Sequence, residues 1–263
     1  MQTKFTELTD SQWEIIEKIL PDHTPRKHSL CSIVNAIFWI CRTGTQWRNM
    51  ESKYPPWQSV YYYFYQWSKE GIWDELLSVF VSLERQRAGR EAEPSMVAID
   101  SQSIKTAPFI SQETVGIDGG KKIKGRKRHI AVDVTGLLKA VHVSRADLHD
   151  AEGGTELLPQ IDQKTNRLEL IRADGSYGGS FKDLVKGVYK WRVETGKRPL
   201  DQKGFVPQKG RWQVERAFAW FNNFRRLAKD SEKTFISSES FLQIAGIGVI
   251  SARFTLLLNQ TWS

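Results

Sequence analysis

Two short apolar runs that each end in an aspartate, MVAID at 96–100 and LELIRAD at 168–174, constrain the fold of this chain more than any other feature. Aliphatic runs of this length, bounded by turn formers, read as buried strands. Between them His129 to Val134 and Leu137 to Val143 flank Thr135-Gly136, a tight hairpin, and Glu152 to Leu158 reads as a helix. From Arg211 to Lys229 the apolar positions Val214, Phe218, Phe221, Phe224 and Ala228 recur at helical spacing. Strand, hairpin, helix, strand, helix is an α/β order, and carboxylates at strand ends face the crevice where such sheets bind ligands.

The text before residue 83 is of another kind. Thr9 or Asp10 can cap a helix holding Trp13, Ile16 and Leu20, and Ser29 or Leu30 opens a second through Val34, Ile37 and Trp39. Pro55-Pro56 starts a third, in which Trp57, Tyr61, Phe64 and Trp67 form an inward stripe while Gln58, Tyr62, Tyr65 and Lys69 point outward. Following a shorter helix and turn around Gln46 to Met50, this reads as a helix-turn-helix-like unit. Gln58 and Tyr62 are then candidates to meet base edges or phosphates, and the alternative is a plain helical bundle that dimerises. The segment LERQRAGREAEP, Leu83 to Pro94, reads as a linker. The expected division is a helical domain at 1–90 and an α/β domain at 95–263.

Charge divides along the same line. Residues 1–94 carry 11 Lys and Arg against 12 Asp and Glu, and the remainder 27 against 18, so the formal net charge of +8 belongs to the second domain. An anionic partner is implied, and nucleic acid is the leading one. With 40% apolar residues the chain can build a real core. Cys31 and Cys41 fit neither a zinc motif nor a disulfide framework and read as reduced core residues. The longest apolar stretch, Ile244 to Leu258, is interrupted by Arg253, so neither signal peptide nor membrane span is expected and the protein is expected in the cytoplasm.

Asp100, Asp174 and Glu215 supply the candidate chemistry. They come from three separate elements, and Glu215 lies beside the apolar stripe of its helix, free to face the crevice. Phosphodiester chemistry uses such a cluster because two hard cations about 4 Å apart, both needing oxygen ligands, act on the attacking and leaving oxygens. Taken singly, each acid is equally a turn, cap or helix-dipole residue. Stepping by three or four from Glu215 places Arg211, Asn222 and Arg226 on its helical face, with Arg225 beside them, as phosphate binders. Lys121, Lys122, Lys124, Arg126, Lys127 and Arg128 put six positive charges in eight residues, read as a phosphate track against the alternative of a solvated loop. Asp133 reads as a solvent-facing strand residue, Asp147 as a further polar candidate, His149-Asp150 as a helix cap and His129 as a phosphate or backbone partner.

These blocks together resemble the transposases of the IS5 family of insertion sequences: VAIDSQSIKT at 97–106, GGKKIKGRKRHIAVDVTGLL at 119–138, RADGSYGG at 172–179 and RWQVERAFAWFNNFRRLAKDSE at 211–232, in that order. LTDSQWEIIEKILP at 8–21 and RTGTQWRNMESKYPPWQSVYYYFYQW at 42–67 are also similar, so the resemblance spans nearly the whole chain. It implies an RNase H-like catalytic domain whose DDE triad falls on Asp100, Asp174 and Glu215, with two Mg²⁺ or Mn²⁺ ions as cofactors. The implied partners are the element's terminal inverted repeats and target DNA, with a homodimer or larger assembly on the DNA and no membrane. An RNase H-like nuclease without strand transfer, or a domesticated DNA-binding protein, are the alternatives.

Overall fold

A computed structural model describes residues 5–21, 27–196 and 212–258. The chain opens with four helices, α1 (Asp10–Glu17), α2 (Leu30–Thr43), α3 (Trp57–Lys69) and α4 (Ile72–Arg87). Thr9 caps α1 in a reciprocal box with Gln12, and α2 stops at Gly44, whose φ of 70° suits a residue without a Cβ. The connection from α2 to α3 runs from residue 44 to 56 and contains a 3-10 turn at Trp47–Asn49. This 3-10 turn is the shorter helix expected around Gln46 to Met50, and residues 50–56 lead from it to α3.

The sheet is built from β1 (Met96–Lys105), β2 (Gly116–Asp118), β3 (Ile123–Asp133), β4 (Leu138–Arg145), β5 (Leu170–Ala173) and β6 (Arg192–Thr195). Across the sheet the order is β4, β3, β1, β5, β6, with short β2 pairing the far end of β3. β3 runs antiparallel to β1 and β4, while β1, β5 and β6 are parallel to one another. Leaving β2 aside, the first strand is central, the second and third form a meander on one side, and the fourth and fifth lie parallel on the other. That is the RNase H-like arrangement. The helices α5 (Asp150–Thr155), α6 (Leu157–Lys164) and α7 (Ser180–Leu184) follow the sequence of the strands, and α8 (Trp212–Phe221) and α9 (Phe235–Leu258) close the fold.

Period-two alternation assigns each strand residue to a face. Val97, Ile99, Ala131, Ile171 and Ala173 join Leu157, Leu158, Ile161, Tyr177 and Phe181 in one core. Ala98, Ile130, Val132 and Val141 face the other way, into a larger core shared with α8, α9 and the N-terminal helices. This larger core is continuous across the expected domain boundary, and the segment read as a linker is in its first half the last turn of α4. Arg85 in that turn is buried and pairs with Asp133. The apolar helix α9 is long enough by composition to cross a membrane, yet it packs on α2, α3, α4, α8 and β4 as the central helix of this core. Cys31 is half-buried and Cys41 fully buried, both as free thiols.

Candidate active site

β1 does not stop at Asp100. The five residues after it, Ser101 to Lys105, look too polar for a strand interior, but β3 pairs with them to the register Lys105↔Gly125. The parallel neighbour β5 ends earlier, its pairing running Met96↔Leu170, Val97↔Ile171, Ala98↔Arg172. Carried two residues further, that register sets Asp174 level with Asp100, where β5 leaves the sheet and opens the crevice. Both aspartates share parity with Ala98 and Arg172, so they belong to the face that α8 covers. Ser101 donates its backbone N–H to Asp100 Oδ1 at 2.7 Å. Asp174 turns the chain out of β5 by accepting from the Ser176 backbone N–H at 2.9 Å and from its hydroxyl.

α8 buries Val214, Ala217, Phe218 and Phe221 against the sheet. Glu215, in its first turn, is exposed beside that stripe, as the sequence pattern implies. The acids thus come from two adjacent strands and the helix above them. Among the described residues no three His, Cys, Asp and Glu side chains are gathered tightly enough to hold a metal ion. Their donor chemistry suits a hard divalent cation, for which carboxylate oxygens are the favoured protein ligands.

The expected basic track divides in two. Lys121, Lys122 and Lys124 are exposed around the β2–β3 turn, where Lys122 adopts a φ of 55°. Arg126, Lys127 and Arg128 are buried and do not reach solvent. β3 alternation sends the two arginines to the α8 face and Lys127 to the opposite one. Arg126 pairs with Asp230 at 3.2 Å and donates to the Glu232 carbonyl at 2.8 Å, and Arg128 donates to the Leu227 carbonyl at 2.9 Å. Lys127 pairs with Asp150 at 2.8 Å, and that carboxylate also accepts from the Ser101 hydroxyl at 2.8 Å. Burial works against ionisation of Asp150, but Lys127 and Ser101 hold it below the usual carboxylate range.

The helix carrying Glu215 is shorter than its apolar repeat suggests. It ends at Phe221, because Asn222-Asn223 favours a turn and Phe224 is extended at φ −103° and ψ 106°. Asn222 and Arg225 are exposed beyond that end, Asn222 still donating its backbone N–H to the Phe218 carbonyl at 3.2 Å. Arg226 is not a surface cation: it pairs with Glu232 at 2.6 Å, donates to the Thr45 carbonyl at 3.2 Å and lies over Trp47 and Phe241. Arg211 falls outside the described residues. On α3, Gln58, Tyr62, Tyr65 and Lys69 are exposed as expected, with Tyr62 57% accessible.

Other sequence candidates have structural work. Asp133 is fully buried rather than solvent-facing: besides Arg85 it accepts from Thr135 N at 2.8 Å and Leu137 N at 2.9 Å, closing the β3–β4 turn. His149 caps α5 as expected, its Nδ1 accepting from Ala151 N at 3.2 Å. Asp147 pairs with Arg145 at 2.7 Å. His129 is buried beside Ser144 rather than facing phosphate. Arg216, which no single-residue reading singles out, sits between Trp212 and Trp220. The spacing Trp, Arg, Trp at four-residue intervals is the signal that would have found it.

Two family models match the chain. Residues 91–245 match the family model described as "Transposase DDE domain", and residues 8–77 the model described as "Putative transposase of IS4/5 family". The chain belongs to the family of DDE-domain transposases. It is 29% identical over 103 residues to "Uncharacterized protein y4sN" of Sinorhizobium fredii (strain NBRC 101917 / NGR234), covering 37% of this chain and 75% of that one. It is 27% identical over 108 residues to "Insertion element IS402 uncharacterized 16.2 kDa protein" of Burkholderia cepacia, covering 37% and 72%. Among solved structures, the catalytic domain of Mos1 mariner transposase aligns with 69% of this chain and 90% of its own, at a TM-score of 0.33 and 11% identity. The Mos1 strand transfer complex aligns with 90% and 78%, at a TM-score of 0.32.

Proposed function

We propose that this DNA transposase binds the terminal inverted repeats of an IS5-type insertion sequence, cleaves phosphodiester bonds at the element ends and joins the freed 3′ hydroxyl to target DNA, with Asp100, Asp174 and Glu215 as its catalytic triad. What supports the reading is the β1–β5 register, which, carried two residues past its last pair Ala98↔Arg172, sets Asp174 beside Asp100 on the side of the sheet where α8 packs. Asp100 and Asp174 would hold two Mg²⁺ or Mn²⁺ ions between them and Glu215 would complete one site. Such ions supply Lewis acidity at both the attacking and the leaving oxygen of an in-line displacement.

The chain itself orients the DNA. Lys121, Lys122 and Lys124 offer phosphate contacts at one end of the sheet, with Asn222 and Arg225 beyond the end of α8. Gln58 and Tyr62 on α3 offer contacts to the element end. Pairing of two ends calls for a dimer or larger assembly, and action on the chromosome for a place in the cytoplasm, at the nucleoid. A nuclease with the same triad would hydrolyse but not join. The discriminating experiment supplies a pre-cut end bearing a 3′ hydroxyl, a target duplex and Mg²⁺: joined product is expected, and hydrolysis without joining would replace this reading with the nuclease.

A further inference from the structure

Arg216 follows Glu215 directly on α8, and its guanidinium is clasped on three sides. It lies 4.4 Å from the ring centroid of Trp212 and 4.8 Å from that of Trp220, one helical turn to either side. Its Nη2 donates to the Thr135 carbonyl in the β3–β4 turn. The turn leaves little room for a side chain at this contact: a Cβ on Gly136 would lie 3.2 Å from Arg216 Nε and from the Gln213 carbonyl oxygen and 3.3 Å from the Trp220 ring, and Gly136 has a φ of 78°. Two of these three partners, the Thr135 turn and Trp220, are anchored in turn. Asp133 fixes the turn through Thr135, Leu137 and Arg85. Arg253 of α9 lies 4.6 Å over the far part of Trp220 and pairs with Glu84 at 3.1 Å.

We infer that Arg216 is a positioning residue that fixes the rotation and slide of α8 on the sheet, and so sets Glu215 relative to Asp100 and Asp174. This rests on Glu215 being the third acid. The buried Val214, Ala217, Phe218 and Phe221 of α8 pack without direction, whereas Trp212 and Trp220, on α8 itself, hold the planar guanidinium in one orientation and its bond to the Thr135 carbonyl ties that orientation to the β3–β4 turn. A helix free to shift by an ångström would misplace its carboxylate.

The test uses the full-length protein with Arg216→Met, Arg216→Lys and Gly136→Ala, the last entering the clasp from the hairpin side. Calorimetric titration of Mn²⁺ into the complex with end DNA is read beside cleavage, thermal stability and end-DNA affinity. Arg216→Met is expected to raise the Mn²⁺ concentration for half-saturation about tenfold or more, as loss of a group that orients a metal ligand does, with end-DNA affinity unchanged. Arg216→Lys keeps the charge and the bond to Thr135 but not the stack, and is expected to fall between. Should Arg216→Met fail to fold, Arg216→Lys and Gly136→Ala carry the same expectation. Wild-type Mn²⁺ affinity in the folded variants would overturn the inference, as would losses of stability and DNA affinity that track the loss of metal affinity. Glu215→Gln is assayed in parallel. If it cleaves at the wild-type rate, the triad reading has failed. If it is inactive while the clasp variants behave as wild type, only the role of Arg216 has failed.

Discussion

Arg126 and Asp230 form an ion pair in which neither side chain is accessible to solvent, with Nη1 and Oδ1 3.2 Å apart. The pair joins β3 to the segment that follows α8, and the backbone of Asp230 extends the join to β1, accepting from Ala107 N at 2.7 Å and donating to the Lys105 carbonyl at 2.9 Å. The strand of Asp100 and the return from the helix of Glu215 are thereby fastened at one place. Glu232 beside them is pushed up by burial, with Arg226 acting against that shift.

Removing one partner of a buried pair leaves an uncompensated charge, which costs about 3–5 kcal/mol. Asp230→Asn is expected to lose stability on that scale in denaturant unfolding, and Arg126→Met combined with Asp230→Asn to recover part of it. A loss of under about 1 kcal/mol for the single variant would mean that the pair is not a fastening.

His129 predicts a dependence of stability on acid. Its Nε2 lies 3.0 Å from the Ser144 hydroxyl, which itself donates to the Arg145 carbonyl, so the imidazole donates from Nε2, and among the described residues its buried Nδ1 has no partner for a second proton. Burial, with His142 second, pushes the pKa down to about 3. The unfolded chain therefore takes up this proton more readily. Stability from His129 is full above about pH 6.5 and falls by up to about 1.4 kcal/mol per pH unit below it. His129→Gln is expected to flatten the fall in melting temperature between pH 6.5 and 4, and an unchanged slope would remove His129 as its source.

The order of elements was legible because its signals are local: an apolar run, a turn, a helical repeat. The length of β1 was not, since Ser101 to Lys105 are held by pairing with β3 rather than by their own pattern. The arginines 126 and 128 read as phosphate binders because the groups that hold them, the Asp230 carboxylate and Glu232 carbonyl for Arg126 and the Leu227 carbonyl for Arg128, lie about a hundred residues downstream. Arg85 hid the true course of α4 in the same way, its partner Asp133 belonging to a strand far along the chain from the segment read as a linker. The end of α8 was visible in Asn222-Asn223 but was outvoted by the apolar repeat that runs past it.

The exposed lysines and the outer face of α3 are expected to differ in salt dependence. Replacing Lys121, Lys122 and Lys124 by Ala should weaken binding to all DNA sequences alike and flatten the slope of log affinity against log salt by about 0.9 for each phosphate that is no longer neutralised. Changes at Gln58 or Tyr62 should reduce preference for the element ends and leave that slope unchanged. The reverse pattern would exchange the roles assigned to the two surfaces.

The most direct measurement is cleavage of end DNA by Asp100→Asn, Asp174→Asn and Glu215→Gln, each of which removes a carboxylate charge at nearly constant volume, assayed in Mg²⁺ and Mn²⁺ with end binding measured in Ca²⁺. Each variant is expected to fold, to bind the end as the wild type does and to lose cleavage with both ions, because the proposed mechanism needs all three carboxylates at one site. Cleavage near the wild-type rate by any one of them would remove that residue from the triad, and wild-type cleavage in EDTA would contradict the account as a whole.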